Sequence, residues 1–363
     1  MRLLLAGGGT GGHLFPAVAL AQLLLQQDSE AKVLFVGTER GLEQRALPKL
    51  GLPLATVDMV GVVGRGWRGK LQLLPKLLKS FVQAKKIISK FKPEIVIGVG
   101  GYASVPVLLA AKYMGIPYVI HEQNAIPGLS NRLLGRWARL ICLSFPGSVS
   151  GFDSSKTVVT GNPLRSGFED VPKTLAQPGR LLIFGGSRGA RAINQAVMQM
   201  LPLLNKRSLK PFIHHQTGDE DFRQVQQAYR DAGYDQAKVV PFIDDMASAY
   251  SEASLVICRA GATTLAELTV CGRPAILIPF PFAAADHQTA NARMLEEAGA
   301  AFTLAQDQLT AETLMAAIEK FFGDLAQLQL MADRGRKIGL CGAAERLLDE
   351  CRSLLGIPVA EVG

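Results

Sequence analysis

The chain has 363 residues, 48% hydrophobic and 19% charged, with a formal net charge of +8. That length and apolar content suit two ordered cores and exclude a disordered chain, and no run of about 18 uncharged apolar residues is present to span a membrane. The charge is uneven: residues 1–162 hold 19 Lys and Arg against 8 Asp and Glu (+11), whereas residues 163–363 hold 20 against 23 (−3).

In chain order, Leu3–Ala6 reads as a first strand that enters Gly7-Gly8-Gly9-Thr10-Gly11-Gly12-His13 and then a helix-like stretch. Met1-Arg2-Leu3 running directly into that strand leaves no room for a signal peptide. A strand, a glycine turn and a helix start make an anion site, because backbone N–H groups and the helix dipole converge there. Gly7, Gly9 and Gly12 also spell the dinucleotide pattern, with Glu39 near the end of the second strand, Lys32–Val36. The alternative lies in His13: at the positive end of a helix, a neutral, proton-accepting imidazole is favoured and suits a general base. A cap or a phosphate contact remains the simpler role for it.

Between Asp58 and Glu94 there is no acidic residue, while Arg65, Arg68, Lys70, Lys76, Lys79, Lys85, Lys86, Lys90 and Lys92 are basic. Leu71, Leu74, Leu77, Leu78, Phe81 and Ile88 recur there at roughly helical spacing, with Trp67 close by. The apolar side is expected to face the core, and the charge block an anionic membrane surface. Nucleic acid is disfavoured, because aromatic residues are only 7% and do not interleave the basic run.

Strand Ile95–Val99 runs into the glycine-rich Gly98–Ser104, with Tyr102, a second candidate for phosphate. Strand Tyr118–Ile120 precedes His121-Glu122-Gln123-Asn124, a polar quartet expected to line a cleft. Strands at Leu140–Leu143 and Val158–Thr160 follow, and Gly161-Asn162-Pro163 has the turn chemistry of a domain boundary.

The second half repeats the device. Leu181–Phe184 enters Gly185-Gly186-Ser187-Arg188-Gly189-Ala190, which reads either as a pyrophosphate cradle or as a tight turn for strand-to-helix packing. Asp219-Glu220-Asp221 spells D-x-D, but it precedes a helix-like run after the strand Phe212–Gln216, so an acidic first turn explains it better than a metal; Asp244-Asp245 is no stronger. Past Lys238–Val240, the strand Leu255–Cys258 opens Arg259-Ala260-Gly261-Ala262-Thr263-Thr264-Leu265-Ala266-Glu267. Glu267 stands either as the partner of Thr264 in a capping box or as the acid of the first helical turn that takes a ribose diol. Strand Ala275–Ile278 leads to Pro279-Phe280-Pro281 and a polar group, Asp286, His287, Gln288 and Asn291, where sugar hydroxyls could bind. The five cysteines show no metal spacing and read as reduced and mostly buried, which suits the cytosol.

Short unalternated strands between helices indicate an α/β fold of two Rossmann-like domains, with parallel sheets facing a cleft. The expected division is 1–162, 163–342 and a last helix in 343–363 that can pack back on the first domain.

The ordered set GGGTGGH (Gly7–His13), GVGGYAS (Gly98–Ser104), HEQNAIPG (His121–Gly128), GNPLR (Gly161–Arg165), GGSRGA (Gly185–Ala190), FIDDM (Phe242–Met246), CRAGATTLAE (Cys258–Glu267) and ADHQTANA (Ala285–Ala292) resembles the MurG family of bacterial glycosyltransferases over nearly the whole chain. The resemblance implies the B-type glycosyltransferase fold and inverting transfer of N-acetylglucosamine from UDP-GlcNAc to the C4 hydroxyl of the muramyl sugar of lipid I, with no cofactor. Carried over by position, it implies His13 as base, with Thr10, Gly11, Gly12 and Asn124 at the reacting centre. Arg165 would lie at the interdomain cleft. Ser187 would meet the diphosphate, and the Ile243 backbone the uracil. Ala262, Thr263, Thr264, Leu265, Ala266 and Glu267 would hold phosphate and ribose, with His287 and Gln288 on the sugar. Arg188 stands where many relatives carry another polar residue. The same resemblance implies a peripheral enzyme on the cytoplasmic face of the inner membrane. A UDP-GlcNAc 2-epimerase, a diacylglycerol glycosyltransferase, a nucleotide-dependent dehydrogenase and a non-enzymatic membrane adaptor are the competing readings.

Overall fold

The computed structural model describes residues 1–39, 41–59, 73–186, 189–207 and 210–358. Two compact units are present, residues 1–165 with 342–363, and residues 166–341.

The first unit is a seven-stranded parallel sheet in the order β3-β2-β1-β4-β5-β6-β7. Its strands are β1 (Arg2–Ala6), β2 (Lys32–Gly37), β3 (Leu54–Thr56), β4 (Ile95–Gly98), β5 (Tyr118–Glu122), β6 (Leu140–Leu143) and β7 (Thr157–Val159). Its helices include α1 (Gly11–Gln27), the single turn α2 (Glu43–Ala46), α3 (Leu73–Phe91), α4 (Ser104–Tyr113) and α5 (Leu129–Gly135). The run Leu3-Leu4-Leu5-Ala6 shows why the strands do not alternate in polarity. Leu3 and Leu5 join the core under α1, and Leu4 and Ala6 join the core under α3 and α4, so both faces of the strand are dry.

The last helix, α13 (Ala343–Leu354), belongs to this first unit. Ala344, Leu347, Leu348 and Cys351 share a core with Leu14, Ala17, Leu20 and Leu24 of α1. Arg346 Nε donates to the Thr160 carbonyl at 3.0 Å, and Arg352 to Gln27 Oε1 at 2.6 Å.

The second unit has a six-stranded parallel sheet in the order β10-β9-β8-β11-β12-β13. In chain order it runs β8 (Arg180–Phe184), α6 (Arg191–Leu204), β9 (Phe212–Gln216), α7 (Phe222–Asp231), β10 (Ala237–Val240), α8 (Met246–Glu252), β11 (Leu255–Cys258), α9 (Ala262–Cys271), β12 (Ala275–Leu277), α10 (His287–Glu297), β13 (Ala301–Thr303), α11 (Ala311–Phe322) and α12 (Leu325–Ile338). Leu181 and Ile183 pack on Ile193, Val197, Met200 and Leu201 of α6, with α11 beside them.

β3 and β13 have no counterpart in the sequence reading. Each is three residues long, sits at a sheet edge, and is only partly buried, so neither carries the apolar run that marks the inner strands. Four of the cysteines are buried and Cys341 is exposed.

Candidate active site

In each sheet the strand order reverses beside the first strand, between β1 and β4 and between β8 and β11. In open parallel sheets ligands bind beyond the strand ends at such a point. The glycine-rich segments 7–12 and 98–101 leave β1 and β4, and 185–189 and 259–261 leave β8 and β11.

In the first unit the two glycine segments touch backbone to backbone. A Cβ on Gly101 would lie 2.7 Å from the Gly8 carbonyl oxygen, and one on Gly7 would collide with the Gly100 carbonyl. Glycine is therefore required there for close approach. Beside this contact the structure overturns the dinucleotide reading. Glu43, 1% exposed, reaches back so that Oε2 accepts from Gly9 N–H at 2.8 Å while Oε1 accepts from Thr38 N–H at 2.9 Å. The amide of Gly9 already faces the protein's own carboxylate. Glu39, the acid expected to hold a ribose, is exposed past the end of β2.

Thr10 is the N-cap residue of α1 in extended conformation, and its side chain makes no capping bond. Gly11, Gly12 and His13 form the first turn, and His13 N–H donates to the Thr10 carbonyl at 3.3 Å. His13 is partly buried, with Nδ1 3.0 Å from Gln123 Oε1. Arg165 lays its guanidinium over the Phe15 ring of α1 at 4.7 Å. Tyr102 packs against the core beneath α4, and the Ser104 hydroxyl donates to the Gly101 carbonyl at 2.7 Å, so this segment is held from within.

The quartet after β5 is less a lining than a scaffold. His121 and Glu122 belong to the strand, in register with Cys142 and Leu143 of β6, and His121, Glu122 and Gln123 are all buried. Glu122 organises the loop that follows: Oε1 accepts from Asn124 N–H at 3.0 Å, and Oε2 from Gly128 N–H at 3.0 Å and Asn131 Nδ2 at 2.9 Å. Asn124 is the partly exposed member, its side chain donating to Glu122 Oε1 at 3.3 Å. Burial pushes His121 down to about 4, reinforced by the nearby His13 and opposed by a hydrogen bond to Gly161, so its ring is neutral.

In the second unit, Ser187 and Arg188 lie outside the described residues, as do Arg65, Trp67, Arg68, Lys70 and Leu71 in the first. Gly189 N–H donates to the Gly186 carbonyl at 2.9 Å, and Ala190 is the N-cap residue of α6. α9 starts at Ala262 with Gly261 as its N-cap residue and no side-chain cap. Thr264 is thus inside the helix, which removes the capping-box alternative. Glu267 is correspondingly in the second helical turn, not the first. It is nearly buried, and Oε2 accepts from the Tyr250 hydroxyl at 3.0 Å. Burial and the Glu267 carboxylate hold the Tyr250 phenol well above its usual range, so it stays a donor. Leu265 and Ala266 are buried, and Leu265 N–H is spent on the Gly261 carbonyl at 3.0 Å. Only Ala262, Thr263 and Thr264 occupy the helix start.

Gln288 accepts through Oε1 from Phe280 N–H at 2.9 Å, tying α10 to the exit of β12, and His287 Nδ1 donates to the Ala284 carbonyl at 2.7 Å. Asn291 is fully buried and donates to the Ala260 carbonyl at 3.1 Å, which makes it a brace. Ile243 is buried on the loop between β10 and α8. Asp221 is the N-cap residue of α7, and no acid lies in that helix's first turn; its carboxylate instead accepts from Asn194 Nδ2 at 2.8 Å. Asp245 caps α8 through Ser248 N–H at 3.0 Å. Among the described residues no three His, Cys, Asp or Glu side chains cluster so as to hold a metal ion.

Sequence reasoning missed Glu43, Tyr250 and Arg259. Arg259 spans the exits of β11 and β12, donating to the Ile278 carbonyl at 3.1 Å and to Gln306 Oε1 at 2.7 Å. Burial lowers its guanidinium to about 10. Nothing in a sequence marks which distant carboxylate, phenol or amide such groups will meet.

Comparison with known proteins agrees with this layout. The glycosyltransferase family 28 N-terminal domain matches residues 3–142, and the family's C-terminal domain matches residues 180–346. A UDP-N-acetylglucosamine–N-acetylmuramyl-(pentapeptide) pyrophosphoryl-undecaprenol N-acetylglucosamine transferase of Syntrophotalea carbinolica is 56% identical over 98% of this chain and 99% of its own. The crystal structure of Acinetobacter baumannii MurG superposes with a TM-score of 0.78 at 35% identity, covering 97% of this chain and 99% of that one. A UDP-GlcNAc 2-epimerase from Neisseria meningitidis, at 13% identity and a TM-score of 0.65, shares the fold alone. With both halves matched and more than half of its residues shared with a full-length relative, the chain belongs to glycosyltransferase family 28 and, within it, to the MurG enzymes.

Proposed function

We infer that the protein transfers N-acetylglucosamine from UDP-GlcNAc to lipid I, forming lipid II for peptidoglycan. The observation that carries this reading is that the match to transferases named for that reaction runs through the whole chain and both units. In the first unit, His13 at the start of α1 takes the proton of the muramyl C4 hydroxyl as that oxygen attacks the anomeric carbon, with inversion. Such a base contributes about 10²–10⁴-fold. Thr10, Gly11, Gly12 and Asn124 surround the reacting hydroxyl, and Arg165 adds a cation.

In the second unit, Ser187 and the start of α6 receive the diphosphate, with Ala262, Thr263 and Thr264 at the start of α9. Glu267 takes the ribose diol, the Ile243 backbone takes the uracil, and His287 and Gln288 meet the sugar. Helix-start amides aimed at the departing UDP stabilise its charge, so transfer is expected to persist in chelator.

The lipid acceptor accounts for the basic first half. No helix among the described residues is long and apolar enough to cross a membrane. α3 instead exposes Leu78 and Val82 among its lysines, and Lys85 and Lys112 lie over the exposed rings of Tyr113 and Trp137 at 4.3 and 3.5 Å. Amphipathic lysines and aromatic rings on one unit suit an anionic lipid surface. We place the enzyme peripherally, on the cytoplasmic face of the inner membrane.

The test is release of UDP from UDP-GlcNAc with and without a soluble lipid I analogue, in the presence of chelator. Release that requires the analogue supports the reading. A new UDP-sugar with no acceptor-dependent release replaces it with epimerase chemistry.

A further inference from the structure

Gln123 is a buried residue to which the transfer reaction assigns no task. Its side-chain amide lies between two imidazoles, Oε1 at 3.0 Å from His13 Nδ1 and Nε2 at 3.0 Å from His121 Nδ1. The far end of this chain fixes the direction of every proton in it. The Gly161 carbonyl, 3.2 Å from His121 Nε2, can only accept, so Nε2 carries the proton and the neutral ring presents a lone pair at Nδ1. The Ser144 hydroxyl oxygen lies 3.3 Å from the same Nε2. Gln123 Nε2 donates to that Nδ1 lone pair. It also donates to the His121 main-chain carbonyl at 3.2 Å, a second group that can only accept. The amide is therefore locked with Oε1 toward His13, and His13 Nδ1 must be the donor. Gly100 closes off the same edge of the ring, since a Cβ there would lie 3.1 Å from His13 Cε1 and 3.2 Å from Nδ1.

We propose that Gln123 is a positioning residue for the transfer. By accepting from Nδ1–H it holds His13 in the Nδ1-protonated tautomer and makes Nε2 the proton-accepting atom. The opposite tautomer would set the Nδ1 lone pair against the Gln123 carbonyl oxygen. His121 and Gly161 act one step further out, by orienting the amide. In the transfer, the acceptor hydroxyl proton moves to His13 Nε2, the acceptor oxygen bonds the anomeric carbon, and the bond from that carbon to UDP breaks with its electron pair leaving on the β-phosphate. The resulting imidazolium keeps its Nδ1–H bond to Gln123, and no proton passes through the amide.

This inference rests on His13 as the base, and its test separates the two. In the full-length enzyme labelled with ¹⁵N-histidine, long-range ¹H–¹⁵N correlation at alkaline pH reads the tautomer of each ring, and His13→Ala identifies the signal. The expected result is Nδ1–H for His13 in the unsubstituted enzyme. In Gln123→Met the signal moves toward the Nε2–H pattern, and kcat falls about 10- to 100-fold with the KM for UDP-GlcNAc nearly unchanged, as for other orienting partners of a functional imidazole. An Nε2–H tautomer in the unsubstituted enzyme overturns the proposal without need of any variant. An unchanged kcat in Gln123→Met while His13→Ala abolishes turnover refutes the positioning role. Full activity in His13→Ala refutes the base assignment instead.

Discussion

At the residue scale, Glu43 and Glu267 are two nearly buried acids with opposite tasks. Glu43 is consumed internally by Gly9 N–H, Thr38 N–H and, at 3.2 Å, the Thr38 hydroxyl. Removing it leaves these three donors, on exposed Gly9 and partly buried Thr38, to water, at about 1 kcal/mol for each hydrogen bond lost. Glu43→Ala should therefore lose about 2–4 kcal/mol, read as a lower urea midpoint for the first unit, with Glu43→Gln recovering part of it. Glu267 has one of its oxygens on Tyr250, which pins the carboxylate. Glu267→Ala should weaken UDP-GlcNAc binding in calorimetry by about 10- to 100-fold, and Tyr250→Phe by less, since the acid survives but loses its anchor. Unchanged donor affinity in Glu267→Ala would sink the ribose assignment. For His13→Ala the expected loss is in kcat, about 10²- to 10⁴-fold, with donor binding intact.

At the element scale, α3 divides its residues by face. Ala84 and Ile88 are buried and Leu77 and Phe81 pack against the core, as the helical spacing implies, but Leu78 points outward. Lys79 is committed to Asp58 at 2.7 Å, so it is a poor reporter of membrane attraction. Lys86 and Lys90 are exposed on the same helix. The double reversal Lys86→Glu, Lys90→Glu should reduce binding to phosphatidylglycerol vesicles at least about tenfold, at roughly 1 kcal/mol per lysine removed and more for reversal. Turnover of a soluble acceptor should be unchanged, and equal vesicle binding would refute the membrane face. α13 shows the other use of a helix. Leu348 is fully buried in the core it shares with α1, so Leu348→Ala should destabilise the first unit by about 2–5 kcal/mol.

At the scale of the whole molecule, each unit carries one fully buried histidine. Burial lowers His121 in the first unit to about 4; in the second it lowers His215 to about 3, with His214 adding to the effect. His215 is held neutral between Tyr229 OH at 3.2 Å and Asn194 Oδ1 at 3.1 Å. The unfolded chain takes up protons near the ordinary value of 6.5 while these folded rings do not, so below that pH the unfolded state binds more protons. Stability should be fully present above pH 6.5 and fall progressively toward pH 4 and below, in both units. Urea midpoints that stay level between pH 7.5 and pH 5 would contradict this.

The amino-acid order alone determined the parallel α/β architecture, because strands buried on both faces must be continuous apolar runs and glycine segments must follow strands that feed helices. It also located the ends of β1, β4, β8 and β11, where the candidate residues gather. The tertiary structure decided everything that depends on a partner distant in sequence. Glu43 closing the first glycine loop, Tyr250 pinning Glu267, and Gln123 bridging His13 and His121 are contacts between 17 and 110 positions apart, or two apart across a strand end. Local patterning fixes which face of an element is dry. It holds no record of which side chain from another element will supply the hydrogen bond that sets a carboxylate or the tautomer of an imidazole.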